Sequence, residues 1–167
     1  MNDLNLPTLD IEDLDMDEIE ASQKDELIDD AGGSLTYGVV GSGQGGGRMA
    51  KAFYDLGYTK TVAFNLAQSD LNFLELPDRH KHHLKFEGSQ GAGKSHEFSQ
   101  KAFETRRQEI FNKFKEIFGN DIDRILICVG VGGGTGGGSV MQLLKVAKKY
   151  FTYIGLDNPN ERVGVVA

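Results

Sequence analysis

The apolar positions between residues 35 and 167 follow two alternating rhythms. Short runs at 35–40 (LTYGVV), 61–65 (TVAFN), 124–129 (RILICV) and 162–167 (RVGVVA) predict strands, with a weaker run at 83–87 (HLKFE). The run at 124–129 is apolar almost throughout, as in a strand covered on both faces. Between these runs the apolar residues recur at helical spacing. Residues 48–56 predict a helix closed by Gly57. Residues 71–76 predict a short helix or turn, stopped by Pro77. A long helix is predicted over 95–118, with Ser95 suited to its N-cap, Glu97 to its first turn and Gly119 to its stop. Phe98, Ala102, Ile110, Phe114, Ile117 and Phe118 form its apolar stripe. A last helix opens from a glycine run and carries Val140, Leu143, Leu144 and Ala147 at helical spacing. This alternation predicts an α/β fold, a doubly wound parallel sheet with helices on both faces. The final apolar run stops without a helix to follow it, so the sheet is expected to be incomplete at its C-terminal end and the chain truncated there.

The first 33 residues keep neither rhythm. Leu4, Leu6, Leu9, Ile11, Leu14, Met16 and Ile19 are interleaved with carboxylates, and the segment holds 12 acidic residues against one lysine, Lys24. Its net charge is −11, whereas the other 134 residues carry +4, giving −7 overall. Self-repulsion and sparse apolar surface keep such a segment from packing. The chain is therefore expected to divide into an acidic disordered tail, residues 1–33, and a domain, residues 34–167. The tail reads either as a solubilising arm or as a short motif that folds onto a protein partner. No basic cluster with interleaved aromatics is visible along the sequence, so no nucleic-acid partner is expected. No stretch approaches the ~20 apolar residues of a membrane helix, and the acidic start is unlike a secretory signal. A single cysteine, Cys128, excludes an internal disulfide and fits a reducing cytoplasm.

Glycine changes the picture most. Of 22 glycines, most fall in three loops between a strand and a helix: GSGQGGGR at 41–48, GSQGAGKS at 88–95 and GVGGGTGGGS at 130–139. In a parallel sheet these loops share the carboxyl edge, where ligands bind. Glycine lets backbone N–H groups approach a ligand, and the helix that follows adds partial positive charge. Phosphate is the ligand that uses both. Three such loops imply a polyphosphate held from several sides. Singly, two of them have other readings. The first fits the dinucleotide pattern G-x-G-x-x-G, but Asn65 stands where that pattern wants an acidic residue. The second fits the P-loop pattern G-x-x-x-x-G-K-[ST] through Lys94 and Ser95, but no later strand ends in the aspartate that would hold magnesium.

The third loop fits neither. Seven of residues 130–138 are glycine, around Thr135. GGGTGGGS resembles the signature loop GGGTG[ST]G of the tubulin/FtsZ superfamily. GSGQGGGR resembles the first phosphate loop of FtsZ, GAGKSHE with the helix after it resembles the FtsZ stretch opening GAGANPE, and VAFN at 62–65 resembles the strand that ends in Asn-Thr-Asp. The resemblance runs in order over residues 36–167. It implies a Rossmann-like GTP-binding domain of a cytoplasmic, filament-forming cytoskeletal GTPase. It also implies GTP or GDP as ligand, magnesium with no protein ligand assigned, and self-association into filaments. Carried over by motif, the α- and β-phosphates fall on Gly132, Gly133, Gly134, Thr135, Gly136 and Gly137. The first loop supports the phosphates and nucleoside through Gly41, Gln44, Gly45, Gly46, Gly47 and Arg48. Gly91, Ala92 and Gly93 fall where the family senses the γ-phosphate.

The chain departs from the family pattern at three places. Arg48 replaces the asparagine that closes the first loop. Asn65-Leu66-Ala67 replaces Asn-Thr-Asp, so the carboxylate near the magnesium is missing and Asp70 is the next acidic residue. Lys94 adds a cation beside the γ-phosphate position, where it either stabilises the triphosphate or faces solvent. The family's base contacts and its acidic catalytic loop, supplied by the next subunit, lie beyond the matched stretch, so no catalytic residue is assigned. The alternatives are a tubulin-like protein that binds without turnover and a P-loop NTPase using 88–95. His80, His82 and His83 form no complete metal-ligand set and predict a surface loop. Cys128 is expected to be a buried, inert thiol.

Overall fold

The computed structural model describes residues 35–86 and 95–167. The acidic segment and the stretch 87–94, with Gly91, Ala92, Gly93 and Lys94, lie outside the described residues. Five strands, β1 (Tyr37–Ser42), β2 (Thr61–Asn65), β3 (Lys81–His83), β4 (Arg124–Val129) and β5 (Val163–Val166), form one sheet in the order β3-β2-β1-β4-β5. All four pairings are parallel. The α-helices among the described residues are α1 (Gly43–Asp55), α2 (Gln68–Asn72), α3 (His96–Thr105), α4 (Arg107–Phe118) and α5 (Gly134–Tyr153).

The pleat decides which residue meets which layer, because alternate side chains on a strand point to opposite faces. Val40, Val62, Phe64, Ile125, Ile127 and Val129 pack with Phe103, Phe114, Leu143 and Tyr150 in the larger core under α3, α4 and α5. Val39 and Cys128 face the other way, against Ala50 of α1. Ala63 packs with Leu71, Leu74 and Leu76 on that same side. Helices thus cover both faces, as the alternation predicted. Local stop signals act as expected. Gly57 and Gly119 adopt φ of +98° and +62° at the ends of their helices, and Phe98 N–H donates to the Ser95 hydroxyl at 3.2 Å, capping α3.

Three elements differ from expectation. First, α1 starts at Gly43, inside the glycine run, rather than at residue 48. Glycine disfavours helix, but here the absence of a Cβ lets the first turn lie on the sheet, and packing overrides propensity. Second, the long helix expected over 95–118 is two helices with a break at Arg106 (φ −99°, ψ 15°). The break separates a segment buried through Ser99, Ala102 and Phe103 from one buried through Ile110, Phe114, Ile117 and Phe118. Third, β3 is Lys81–His83 rather than 83–87, pairing with Ala63, Phe64 and Asn65. The histidines are consequently not a surface loop. His80 is buried, with Nδ1 2.7 Å from the Thr61 carbonyl oxygen. His82 Nε2 lies 2.7 Å from Glu109 Oε1, and His83 Nε2 3.1 Å from the Leu66 carbonyl oxygen. Each ring ties β3 or its preceding turn to a different neighbour. No group of three or more His, Cys, Asp or Glu among the described residues is placed to hold a metal.

Burial raises two acid groups of the core. Desolvation pushes the Cys128 thiol up to about 11. Desolvation, with a smaller contribution from Tyr153, pushes Tyr150 up to about 12, and its hydroxyl donates to the Gly119 carbonyl. Between about pH 9 and 11 the unfolded chain has released the Cys128 proton while the folded chain keeps it. The folded state then binds more protons, so stability falls as pH rises, by about 2–3 kcal/mol across that window. Tyr150 contributes with the same sign at higher pH. In denaturant titrations, wild type and Cys128→Ala should keep a constant gap below pH 9, which closes above it as only wild type loses this contribution. A gap constant through pH 10.5 refutes the assignment.

Candidate phosphate-binding crevice

β1 and β4 are neighbours in register, with Ser42 opposite Val129, so both strands end at one level. From there the chain enters α1 on one face of the sheet and α5 on the other. Loops that leave in opposite directions open a crevice between them, the switch point where doubly wound sheets bind ligands. The crevice holds a cavity of about 470 Å³. Ser42, Gly43, Gln44 and Gly45 line it from the first loop, and Gly130 with residues 132–136 from the third. Asp70, on α2, is the acidic side chain on its wall. Gly43 begins α1 and Gly134 begins α5, and neither first turn contains an acidic residue. Two helix N-termini therefore present free N–H groups and uncompensated positive dipole ends to one cavity.

The glycines serve two purposes that the sequence does not separate. Some let the loops pack. A Cβ at Gly46 would sit 2.1 Å from the Cys128 carbonyl oxygen, and one at Gly41 2.5 Å from that of Gly46. At Gly136 a Cβ would meet the Gly130 carbonyl oxygen at 2.6 Å, inside the loop itself. At Gly137 it would meet the His96 ring at 2.9 Å. Gly43, with φ +71°, turns the chain from strand into helix and faces the Gly136 nitrogen. Others leave space. No described atom lies within 4 Å of a Cβ at Gly132, and at Gly133 the nearest is the Gly130 carbonyl oxygen, 3.6 Å away.

Hydrogen bonds fix the two loops to each other. The Ser139 hydroxyl donates to the Gly136 carbonyl at 2.9 Å and accepts from the Ser42 hydroxyl at 2.7 Å, both serines being fully buried. The end of β1 is thus tied to the first turns of α5. Asn65, also buried, uses its whole amide. Its Oδ1 accepts from Ala67 N–H at 3.1 Å, and its Nδ2 donates to Asp70 Oδ2 at 3.0 Å. The asparagine at the end of β2 thereby holds a carboxylate on the cavity wall. Arg48, Gly47 and Asn65 line a smaller adjoining cavity of about 60 Å³, which shares Gln44 and Asp70 with the crevice.

Of the residues singled out from the sequence, Gln44, Gly45, Gly132, Gly133, Gly134, Thr135 and Gly136 meet at the crevice, and Gly47, Arg48 and Asn65 beside it. Gly41, Gly46 and Gly137 are packing positions. Ser42, Gly43 and Gly130 line the cavity without having been singled out; their place at the ends of β1 and β4 is the signal that points to them.

Fold and crevice define a doubly wound α/β domain with a glycine-lined cavity at its switch point. The Tubulin/FtsZ family, GTPase domain, matches residues 37–156, and the chain belongs to that family. It is 30% identical over 134 residues to the cell division protein FtsZ of Porphyromonas gingivalis, covering 75% of this chain and 28% of that one. Among solved structures it is similar to CetZ1 from Haloferax volcanii, a GDP-bound monomer, with a TM-score of 0.65 and 27% identity over 71% of this chain and 39% of that one. A GTPγS-form protofilament of Bacillus thuringiensis serovar israelensis TubZ matches with a TM-score of 0.60 and 27% identity, covering 71% of this chain and 34% of that one. The chain thus spans about a third of the length of these relatives. No helix among the described residues is long and apolar enough to cross a membrane.

Proposed function

We propose that residues 34–167 form the phosphate-holding part of a guanine-nucleotide pocket in a filament-forming, cytoplasmic GTPase, and that residues 1–33 are a separate acidic tail that docks on a protein. The observation that carries the reading is the crevice, where two glycine loops and two helix N-termini converge on one cavity. Phosphate oxygens fit the backbone donors of Gly45, Gly134, Thr135 and Gly136. Gln44 lines the crevice and Arg48 the smaller cavity beside it, where both can meet the part of the ligand beyond the phosphates. GTP or GDP as the ligand is supported by the GDP-bound and GTPγS-form relatives, and filament formation by the TubZ protofilament.

Magnesium fits this site. It is commonly held by one or two carboxylates together with phosphate oxygens and water, and Asp70 offers a carboxylate fixed by Asn65 at 3.0 Å. When bound, the ion would neutralise part of the polyphosphate charge. Leu66 and Ala67 have no oxygen-bearing side chains, so Asp70 takes over the role of the family's missing aspartate. No described residue serves as base for the attacking water in this reading; hydrolysis is completed between neighbouring copies, as the family resemblance implies.

The test is a competition titration with fluorescent GTPγS. GTP and GDP should displace it, and GMP should do so at least about tenfold less well, a difference of about 1.4 kcal/mol, because the crevice holds the polyphosphate. Adding Mg²⁺ should tighten wild-type binding, and Asp70→Asn should reduce that gain while leaving the EDTA value nearly unchanged. Displacement by GMP as strong as that by GDP refutes the polyphosphate reading, and absence of any nucleotide binding refutes the crevice.

A further inference from the structure

On a face formed by α4 and α5, a groove of about 180 Å³ is lined by Arg107, Gln108, Phe111, Lys145, Val146 and Lys149. Its floor is apolar, through Phe111 and Val146. Its rim is basic. α5 carries Lys145, Lys148 and Lys149 and no acidic residue in its 20 positions. Among the described residues no carboxylate pairs with Lys115, Lys145 or Lys149, whereas Arg107 is engaged by Glu104 at 3.0 Å. Lys149 stands 5.8 Å from the centre of the Phe111 ring, and Lys115 4.9 Å from that of Tyr153. The two rings meet edge to face at 5.4 Å. The sequence hides this cluster, because its two halves are separated by the whole of β4 and the third glycine loop.

We infer that this groove receives the acidic segment, residues 1–33, of a second copy of the chain. The complementarity is double. That segment carries a net charge of −11, opposite to the unpaired lysines. Its leucines and isoleucines alternate with the carboxylates, so one apolar side chain can rest on Phe111 and Val146 while flanking carboxylates reach the rim. Burying an apolar side chain gives the contact a part that salt does not screen. Nucleic acid suits the groove less well, since bases stack on open ring faces and here ammonium groups stand over both rings.

A labelled peptide of residues 4–20 tests this without nucleotide. It is titrated into the full chain carrying Asp10→Asn, Glu12→Gln, Asp13→Asn, Asp15→Asn, Asp17→Asn and Glu18→Gln, so that the chain's own segment keeps only six of its 12 carboxylates and competes less for the groove. Saturable binding is expected, weakened at least about tenfold by Lys145→Glu with Lys149→Glu, and weakened also by Phe111→Ala. A single Lys148→Glu, on the same helix but outside the groove, should change affinity less than about threefold, and Lys145→Glu alone should exceed it. Unfolding curves of the variants should overlay that of the parent. The inference is overturned by absence of saturable binding, or by equal losses from Lys148→Glu and Lys145→Glu. It is overturned equally if a peptide with its leucines and isoleucines changed to serine binds as well, or if an oligonucleotide displaces the peptide from the groove at lower concentration.

Discussion

Gly46→Val is expected to unfold the domain rather than weaken a site. The Cβ alone would lie 2.1 Å from the Cys128 carbonyl oxygen, 2.9 Å from its carbon and 3.1 Å from the Val129 Cα. All three atoms belong to the backbone of β4, which is paired on both sides, with β1 and with β5. No rotamer relieves the clash, so either α1 lifts from the sheet or β4 shifts in its ladder. Lifting α1 also opens the small core of Val39, Ala50 and Cys128. Overpacking with a flexible neighbour costs about 1–3 kcal/mol; a rigid interior strand pushes the cost beyond that, toward the whole ~5–15 kcal/mol of a domain's stability. Gly47→Ala is the control, because its Cβ meets only the end of the Leu74 side chain at 3.3 Å. Thermal melting should show little change for Gly47→Ala and no cooperative transition for Gly46→Val. A Gly46→Val protein melting within a few degrees of wild type would show that α1 does not start against β4.

The fold was legible in the sequence wherever a local signal decided it. The apolar run at 124–129 is the interior strand β4, and Ser95, Gly57 and Gly119 cap or end helices through chemistry confined to a few residues. Where a distant partner decided, the reading missed. α1 begins early because β4 accepts a bare backbone there, and nothing between residues 43 and 47 announces that. The histidines at 80, 82 and 83 read as polar and exposed, yet each has an acceptor supplied by another element: Thr61, Glu109 and Leu66. The candidate site was legible in outline, since glycine loops at strand ends imply phosphate whatever the topology. Its inner division was not. Gly136 and Gly132 are alike as letters, yet one is crowded by its own loop and the other opens onto the cavity. The carboxylate of Asp70 was visible as a residue near Asn65, but its aim depends on a side-chain hydrogen bond.

That division makes a sharp prediction at Gly132. Gly132→Asp should abolish nucleotide binding and leave the fold intact. No described atom lies within 4 Å of the added Cβ, so the side chain has room and stability should change by less than about 0.5 kcal/mol. The same openness places its carboxylate on the wall of the cavity proposed to hold phosphate. At ~5 Å and an effective dielectric of about 20, one negative charge against another costs about 3 kcal/mol, more than a hundredfold in affinity. Gly132→Asn has nearly the same volume without the charge and separates the two causes. If phosphate charge is what the loop reads, Asn should lose less than about tenfold where Asp loses more than about a hundredfold. Gly136→Val should differ from both, losing stability as well as binding, because its Cβ would press on Gly130 at 2.6 Å. Fluorescent-nucleotide titration beside a melting curve for each variant gives both readings. Equal losses for Asn and Asp would mean that the loop excludes volume rather than charge. Unchanged affinity for Gly132→Asp would move the phosphates out of the crevice altogether.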